Sequence, residues 1–88
     1  MEVRITTLSE NAANYGFIAE WGLSILVEVE ESQILVDTGL SFSATYNADL
    51  MGIDLRGIDR IVLSHGHADH TGGLREVLKR SGDTEVIA

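Results

Sequence analysis

Residues 60–73 read RIVLSHGHADHTGG, and this stretch decides how the rest of the chain is organised. A β-branched apolar run, 60–64, passes directly into a segment holding all three histidines of the 88-residue sequence, with Asp69 before the last of them. In an extended segment alternate residues share a face, so His65, His67 and Asp69 converge on one side while His70 leaves from the other. That alternation suits two adjacent metal positions, two imidazoles for one ion and a carboxylate plus an imidazole for its neighbour. Imidazole nitrogen and carboxylate oxygen suit zinc, iron or manganese, whereas a copper(I) site would want sulfur. Gly66 and Ala68 leave the backbone room to fold tightly around ions, and Gly72 and Gly73 allow a sharp turn into the next element. A lone histidine is usually structural; clustering of all of them after a buried strand is what favours ligation.

Outward from this stretch, the sequence predicts alternating strands and helices. Downstream, Leu74, Val77 and Leu78 recur at helical spacing, so 73–81 reads as an amphipathic helix, with Glu76 and Arg80 spaced to pair at i,i+4. Gly82, Asp83 and Thr84 turn the chain, and Glu85-Val86-Ile87 opens another strand. Upstream, residues 43–51 (SATYNADLM) predict a helix stopped by Gly52, followed by a short connection at 54–57 with one helical turn. Residues 3–8 alternate and are β-branched, predicting a first strand before a loop at 9–16. Residues 23–29 (LSILVEV) and 33–36 form a hairpin across the acidic turn Glu30-Glu31-Ser32, closing on Asp37-Thr38-Gly39. The order is β-β-β-α-β-α-β, an α/β (α+β) pattern, and ligands of such folds sit beyond the carboxyl ends of strands, where the histidines lie.

Other candidates carry weaker signals. Asp37 is either a strand-end turn residue, which Asp-Thr-Gly favours, or a carboxylate that orients a metal-bound histidine. Tyr46 and Asn47 read as helix surface or packing, Glu28, Glu30 and Glu31 as a solvated turn, and Trp21 as packing.

Composition narrows the function classes. Fourteen acidic against six basic residues give a net charge of −8, which repels phosphate backbones and anionic lipid, so neither nucleic acid nor a membrane is expected as partner. Bound dications would offset part of that charge and let an anionic small-molecule substrate approach. There is no cysteine, hence no disulfide framework and no thiolate site, which fits a cytoplasmic location. No signal peptide or apolar run of membrane-spanning length is present. One small domain covering 1–88 is expected, burying only about 60–65% of the surface its unfolded form exposes.

His65-Gly66-His67-Ala68-Asp69-His70 resembles the HxHxDH signature of the metallo-β-lactamase superfamily, and Val36-Asp37-Thr38-Gly39 resembles its upstream conserved block. The flanks ITTLSENAA, YNADLMGIDLRGID and IVLSHGHADHTGGL look like the branch of metal-dependent hydrolases of β-lactamase superfamily II, which includes a pterin-pathway ribofuranosylaminobenzene phosphate synthase. The resemblance implies a four-layer αββα sandwich with a binuclear site at one edge. It implies that His65 and His67 hold one metal, Asp69 and His70 the other, with zinc as the first expectation and Asp37 behind the ligands. Asp69 would also be the catalytic carboxylate. The implied reaction is attack of a metal-activated hydroxide on an ester, amide, lactone or phosphoester, with the synthase-type condensation as alternative.

The family draws a third histidine, a bridging aspartate and a further histidine from strands downstream, and here no histidine follows His70. The expectation is therefore the N-terminal portion of such a domain, incomplete and inactive alone. The competing expectation is a non-catalytic metal-binding half-domain that forms a homodimer or pairs with a complementary C-terminal half to cover an exposed apolar sheet face.

Overall fold

The computed structural model describes residues 2–10, 16–17, 19, 22–64, 71–82 and 84–88. Strands β1 (Val3–Ser9), β2 (Ser24–Val29), β3 (Ser32–Val36), β4 (Arg60–Val62) and β5 (Glu85–Ile87) form one sheet in the order β1-β2-β3-β4-β5. β1, β2 and β3 are antiparallel neighbours; β4 and β5 join in parallel. Helices α1 (Ser43–Met51) and α2 (Leu74–Ser81) make the two parallel crossovers. Because successive crossovers run in the same direction with the same hand, both helices pack on one face of the sheet. The β-β-β-α-β-α-β order read from the sequence is the order observed.

The core lies between that face and the helices. Leu26, Leu35 and Ile61 sit side by side across three strands at 0% exposure, capped by Ala44 and Ala48 of α1 and Val77 of α2. Each such aliphatic side chain contributes about 1.5–3 kcal/mol by leaving water. α1 is held by small and polar residues rather than by an apolar stripe. Ala44 and Ala48 let it lie close to β1, where Asn47 Nδ2 donates to the Leu8 carbonyl at 2.8 Å and the Ser43 and Ser9 hydroxyls share a 2.6 Å hydrogen bond. Asn47 is thus buried packing, while Tyr46 faces outward.

Turn chemistry agrees with the sequence at two places. Gly52 takes φ 72° and ends α1 by donating back into the helix, a conformation that costs an L side chain roughly 1–2 kcal/mol. Glu30, at φ 55° in the β2–β3 turn, adopts that region without being glycine. The 3₁₀ turn Leu55–Gly57 is capped by Asp54, whose carboxylate accepts from the Arg56 N–H at 3.0 Å.

Two expectations are corrected. The buried strand proposed for 60–64 ends at Val62: the Leu63 N–H still donates to Ile87 of β5, and Ser64 turns to the Asp37 carboxylate. The Glu76–Arg80 pair does not form as spaced: Glu76 accepts from Lys79 at 3.3 Å, and Arg80 instead crosses to α1 and grips both oxygens of Asp49 at 2.7 and 2.6 Å. Both bonds come from the same nitrogen, Nη1, and their short lengths make this a closer pair than the 3.3 Å contact along the helix.

The other face of the sheet is also aliphatic. Ile5, Val27 and Ile34 share one row and Ile25, Val36, Val62 and Ile87 the next, with Ile5 67% and Ile87 44% exposed. Among the described residues, no helix is long and apolar enough to cross a membrane.

Candidate metal centre

Strands β3 and β4 run in parallel and deliver two loops to the same sheet end. From β3 comes 37–41; from β4 come Leu63, Ser64 and then the histidine segment. Asp37 is the first residue past β3, 1% exposed and at φ 60°. Its N–H donates to the Val62 carbonyl at 2.8 Å, and its own carbonyl accepts from the Ser24 hydroxyl at 2.8 Å. Its carboxylate reaches Ser64 twice: Oδ1 accepts from the Ser64 N–H at 2.8 Å and Oδ2 from the Ser64 hydroxyl at 2.6 Å. Short, charge-assisted bonds of this kind are roughly twice as strong as neutral ones. Asp37 is therefore both the turn residue and a carboxylate directed at the segment that leads into the histidines.

Beyond the histidines, Gly73 returns to the same loop. The Gly73 N–H donates to the Gly39 carbonyl at 2.9 Å, and the Gly73 Cα lies so close to 37–41 that an added Cβ would stand 2.0 Å from the Thr38 carbonyl oxygen. The glycine is required by this approach, not only by the turn the sequence suggested. Thr38 is fully buried between the two. From Gly73 the chain enters α2, which is anchored by Val77.

His65, His67, Asp69 and His70, with Trp21, lie outside the described residues. Among the described residues no group of three His, Cys, Asp or Glu could hold a metal ion. What is on view is the frame at both ends of the donor segment, Ser64 before it and Gly73 shortly after it. Ser64 and the close contact of Gly73 were not singled out from sequence. The serine's position, one residue before the first histidine and within reach of an acid ending the parallel neighbour strand, is the signal that would have found it.

Away from this sheet end, four cations are paired with acids. Arg56, Arg60, Lys79 and Arg80 pair with Asp54, Glu85, Glu76 and Asp49. The Arg56 guanidinium holds the exposed Asp54 carboxyl below its ordinary range, and Asp49 raises Arg80 above its own. Arg75, in the first turn of α2, is exposed and borders an open groove with Thr71, Gly72, Leu74 and Leu78.

Known proteins resemble this chain in sequence and fold. The family model described as the metallo-beta-lactamase superfamily matches residues 22–88. The 7,8-dihydropterin-6-methyl-4-(beta-D-ribofuranosyl)-aminobenzene-5'-phosphate synthase of Methanocaldococcus jannaschii is 42% identical over 84 residues, covering 88% of this chain and 29% of the synthase. A solved structure, Tm1679, a metal-dependent hydrolase of the beta-lactamase superfamily, superposes with a TM-score of 0.73 at 41% identity over 83% of this chain and 26% of that one. A flavo di-iron protein mutant from Thermotoga maritima gives a TM-score of 0.65 at 28% identity, over 76% of this chain and 18% of that one. The chain thus spans less than a third of the length of these relatives. A sheet with two helices on one face, an acid at the end of β3 reaching across to β4, and a family model covering most of the sequence agree: this chain belongs to the metallo-beta-lactamase superfamily.

Proposed function

We propose that the protein carrying this chain is a metal-dependent hydrolase whose metal is held by His65, His67, Asp69 and His70, two donors to each of two positions. The observation that carries the reading is the pair of hydrogen bonds that Ser64 donates to the Asp37 carboxylate, at 2.8 and 2.6 Å, immediately before a segment of three imidazoles and a carboxylate. Burying a carboxylate is costly unless it is hydrogen-bonded, and this one is placed where it bonds the residue that leads into the histidines.

The donor set fits a divalent ion of the zinc or iron kind: nitrogen and carboxylate oxygen without thiolate, in a chain of net charge −8 that a dication partly offsets. Such an ion supplies Lewis acidity and lowers the pKa of bound water from about 15.7 towards about 7. The chain's own residues do the rest. Asp37 and Ser64 fix the entry to the donor segment. Asp69, besides binding, is the carboxylate that takes and holds the proton released when water attacks. The aliphatic sheet face carrying Ile5, Val27 and Val36 is the inner face of the αββα sandwich, closed by further polypeptide of the same fold. The substrate is a small ester, amide, lactone or phosphoester.

One observation favours a second reading. The 42% identity to the pterin-pathway synthase extends over 88% of this chain, which supports a condensation on a phosphoribosyl substrate at the same metal centre. Metal analysis of the intact protein, followed by assays on a chromogenic phosphodiester, an ester, a lactone and a phosphoribosyl donor with an aminobenzoate-type acceptor, separates the two. His67→Ala should lose both metal and turnover. A protein that stays metal-free after reconstitution with zinc or iron would sink both readings. Bound metal, a dimer in light scattering and no turnover would instead identify a non-catalytic binding module.

A further inference from the structure

Helix α1 has its polarity reversed. The side it turns to the sheet is made of Ser43, Ala44, Thr45, Asn47 and Ala48, all buried. Its large side chains face solvent: Phe42 is 52% exposed, Tyr46 42%, Leu50 50% and Met51 39%. A surface helix ordinarily buries its apolar residues and presents charge outward. Phe42, Tyr46 and Leu50 recur every four residues, so they form one row along the outer surface. Phe42 also occupies the N-cap, where serine, threonine, aspartate or asparagine would accept a hydrogen bond, and its ring supplies no such bond. In an αββα sandwich the helices are the outer layers. A second sheet closing over Ile5 and Val27, on the opposite face, therefore leaves this row outside.

From this reversal we infer that the Phe42–Tyr46–Leu50 row is a dimerisation surface whose partner is a second copy of the same chain. The inference is independent of the metal reading. The row is symmetric about its middle, with Phe42 and Leu50 each four residues from Tyr46. A two-fold axis at Tyr46 sets ring against ring there and Phe42 of one copy against Leu50 of the other, the reciprocal contact that such symmetry requires. Ridges at four-residue spacing interdigitate with ridges of the same spacing when helices cross at about −50°. Charge agrees. In a chain of net charge −8, copies are repelled wherever acids face acids, but the one charged residue of α1, Asp49, is held by Arg80 of its own chain. Area agrees as well. A buried aromatic side chain removes about 150–250 Å² from water, so this half-exposed row with Met51 presents about 350 Å² on each copy. Twice that, with a narrow polar margin, reaches the roughly 1,000 Å² at which specific interfaces begin.

The test follows the intact protein that carries this chain by sedimentation velocity across a dilution series, with circular dichroism to show that each variant is folded. The wild type should sediment as a dimer. Tyr46→Asp sets two carboxylates against each other on the axis and should weaken dimerisation by at least about 100-fold. Tyr46→Phe keeps the ring and should leave it unchanged. Where Tyr46→Asp fails to fold, Tyr46→Cys decides alone: a short bis-maleimide should link position 46 of one copy to position 46 of the other, identified by mass spectrometry of the joined peptides. A wild type that is monomeric at every concentration overturns the inference. So does a dimer that a folded Tyr46→Asp leaves intact, or the absence of a 46-to-46 link. A monomer whose substituted position 46 resists maleimide assigns the row to further polypeptide of its own chain, and that too overturns the second copy.

Discussion

Replacing Gly73 by alanine adds one methyl group where the backbone leaves no space. The new Cβ would stand 2.0 Å from the Thr38 carbonyl oxygen and 2.8 Å from that of Ser41, against a floor of 3.0 Å for real Cβ contacts, so at least 3.0 − 2.0 = 1.0 Å of clearance is missing. Both obstacles are main-chain oxygens and cannot rotate aside. Either 37–41 moves, against the bonds Asp37 and Gly39 make to Val62, Ser24 and Leu23, or α2 moves and loosens Val77 from the core. Overpacking of this kind costs about 1–3 kcal/mol, and loss of the 2.9 Å bond from Gly73 to Gly39 adds about 1 kcal/mol. Gly73 has an ordinary φ of −86°, so alanine regains about 0.4–1 kcal/mol by restricting the unfolded chain. The net loss is about 1–3.5 kcal/mol. At about 4–8 °C per kcal/mol for a domain of this size, the melting temperature falls by about 4–28 °C. Gly57→Ala is the matched control, because its Cβ would meet only the flexible end of the Gln33 side chain, at 3.0 Å. Thermal melts followed by circular dichroism without metal decide the matter. A Gly73→Ala protein that melts with Gly57→Ala would refute the close approach of α2 to 37–41.

Asn47→Ala strands the Leu8 carbonyl inside the α1–β1 interface and should cost about 1–3 kcal/mol, read as a shift in the urea midpoint; an unchanged midpoint counts against the bond. Arg80→Ala breaks the half-exposed bidentate pair with Asp49 and should cost no more than about 1 kcal/mol, with the difference shrinking at high salt. The Asp54 carboxyl is held below its ordinary value, first by the side-chain bond to Arg56, so its contribution to stability is present above the unfolded pKa and disappears as pH falls through the lowered one. Asp54→Asn should therefore melt slightly below wild type at neutral pH and converge with it in acid, whereas a gap that persists at about pH 2 would argue against the pairing.

What the sequence revealed and what it hid divide along the distance over which each interaction acts. Helix α1 was legible to the residue, Ser43–Met51, because its stop is local: Gly52 supplies the left-handed turn itself. The strands were legible as β-branched runs, but not which face meets the helices. Residues 23–29 are nearly apolar throughout, and alternation is informative only when one face is polar. The end of β4 was misplaced by two residues because Ser64 leaves the sheet for an acid 27 positions earlier in the chain. Arg80 went to Asp49 rather than Glu76 for the same reason, since a partner 31 residues away leaves no periodic trace. The histidine segment stood out through density alone, whereas the place of Asp37 needed the parallel pairing of β3 with β4. The left-handed turn aims its carboxylate at Ser64, and the bonds from Ser64 hold a turn that a residue with a Cβ resists. The same sheet end brings Gly73 against Thr38, so the two residues flanking the histidine segment owe their positions to a loop that precedes it by more than twenty residues. The histidines are local in sequence; the contacts that place Ser64 and Gly73 are not.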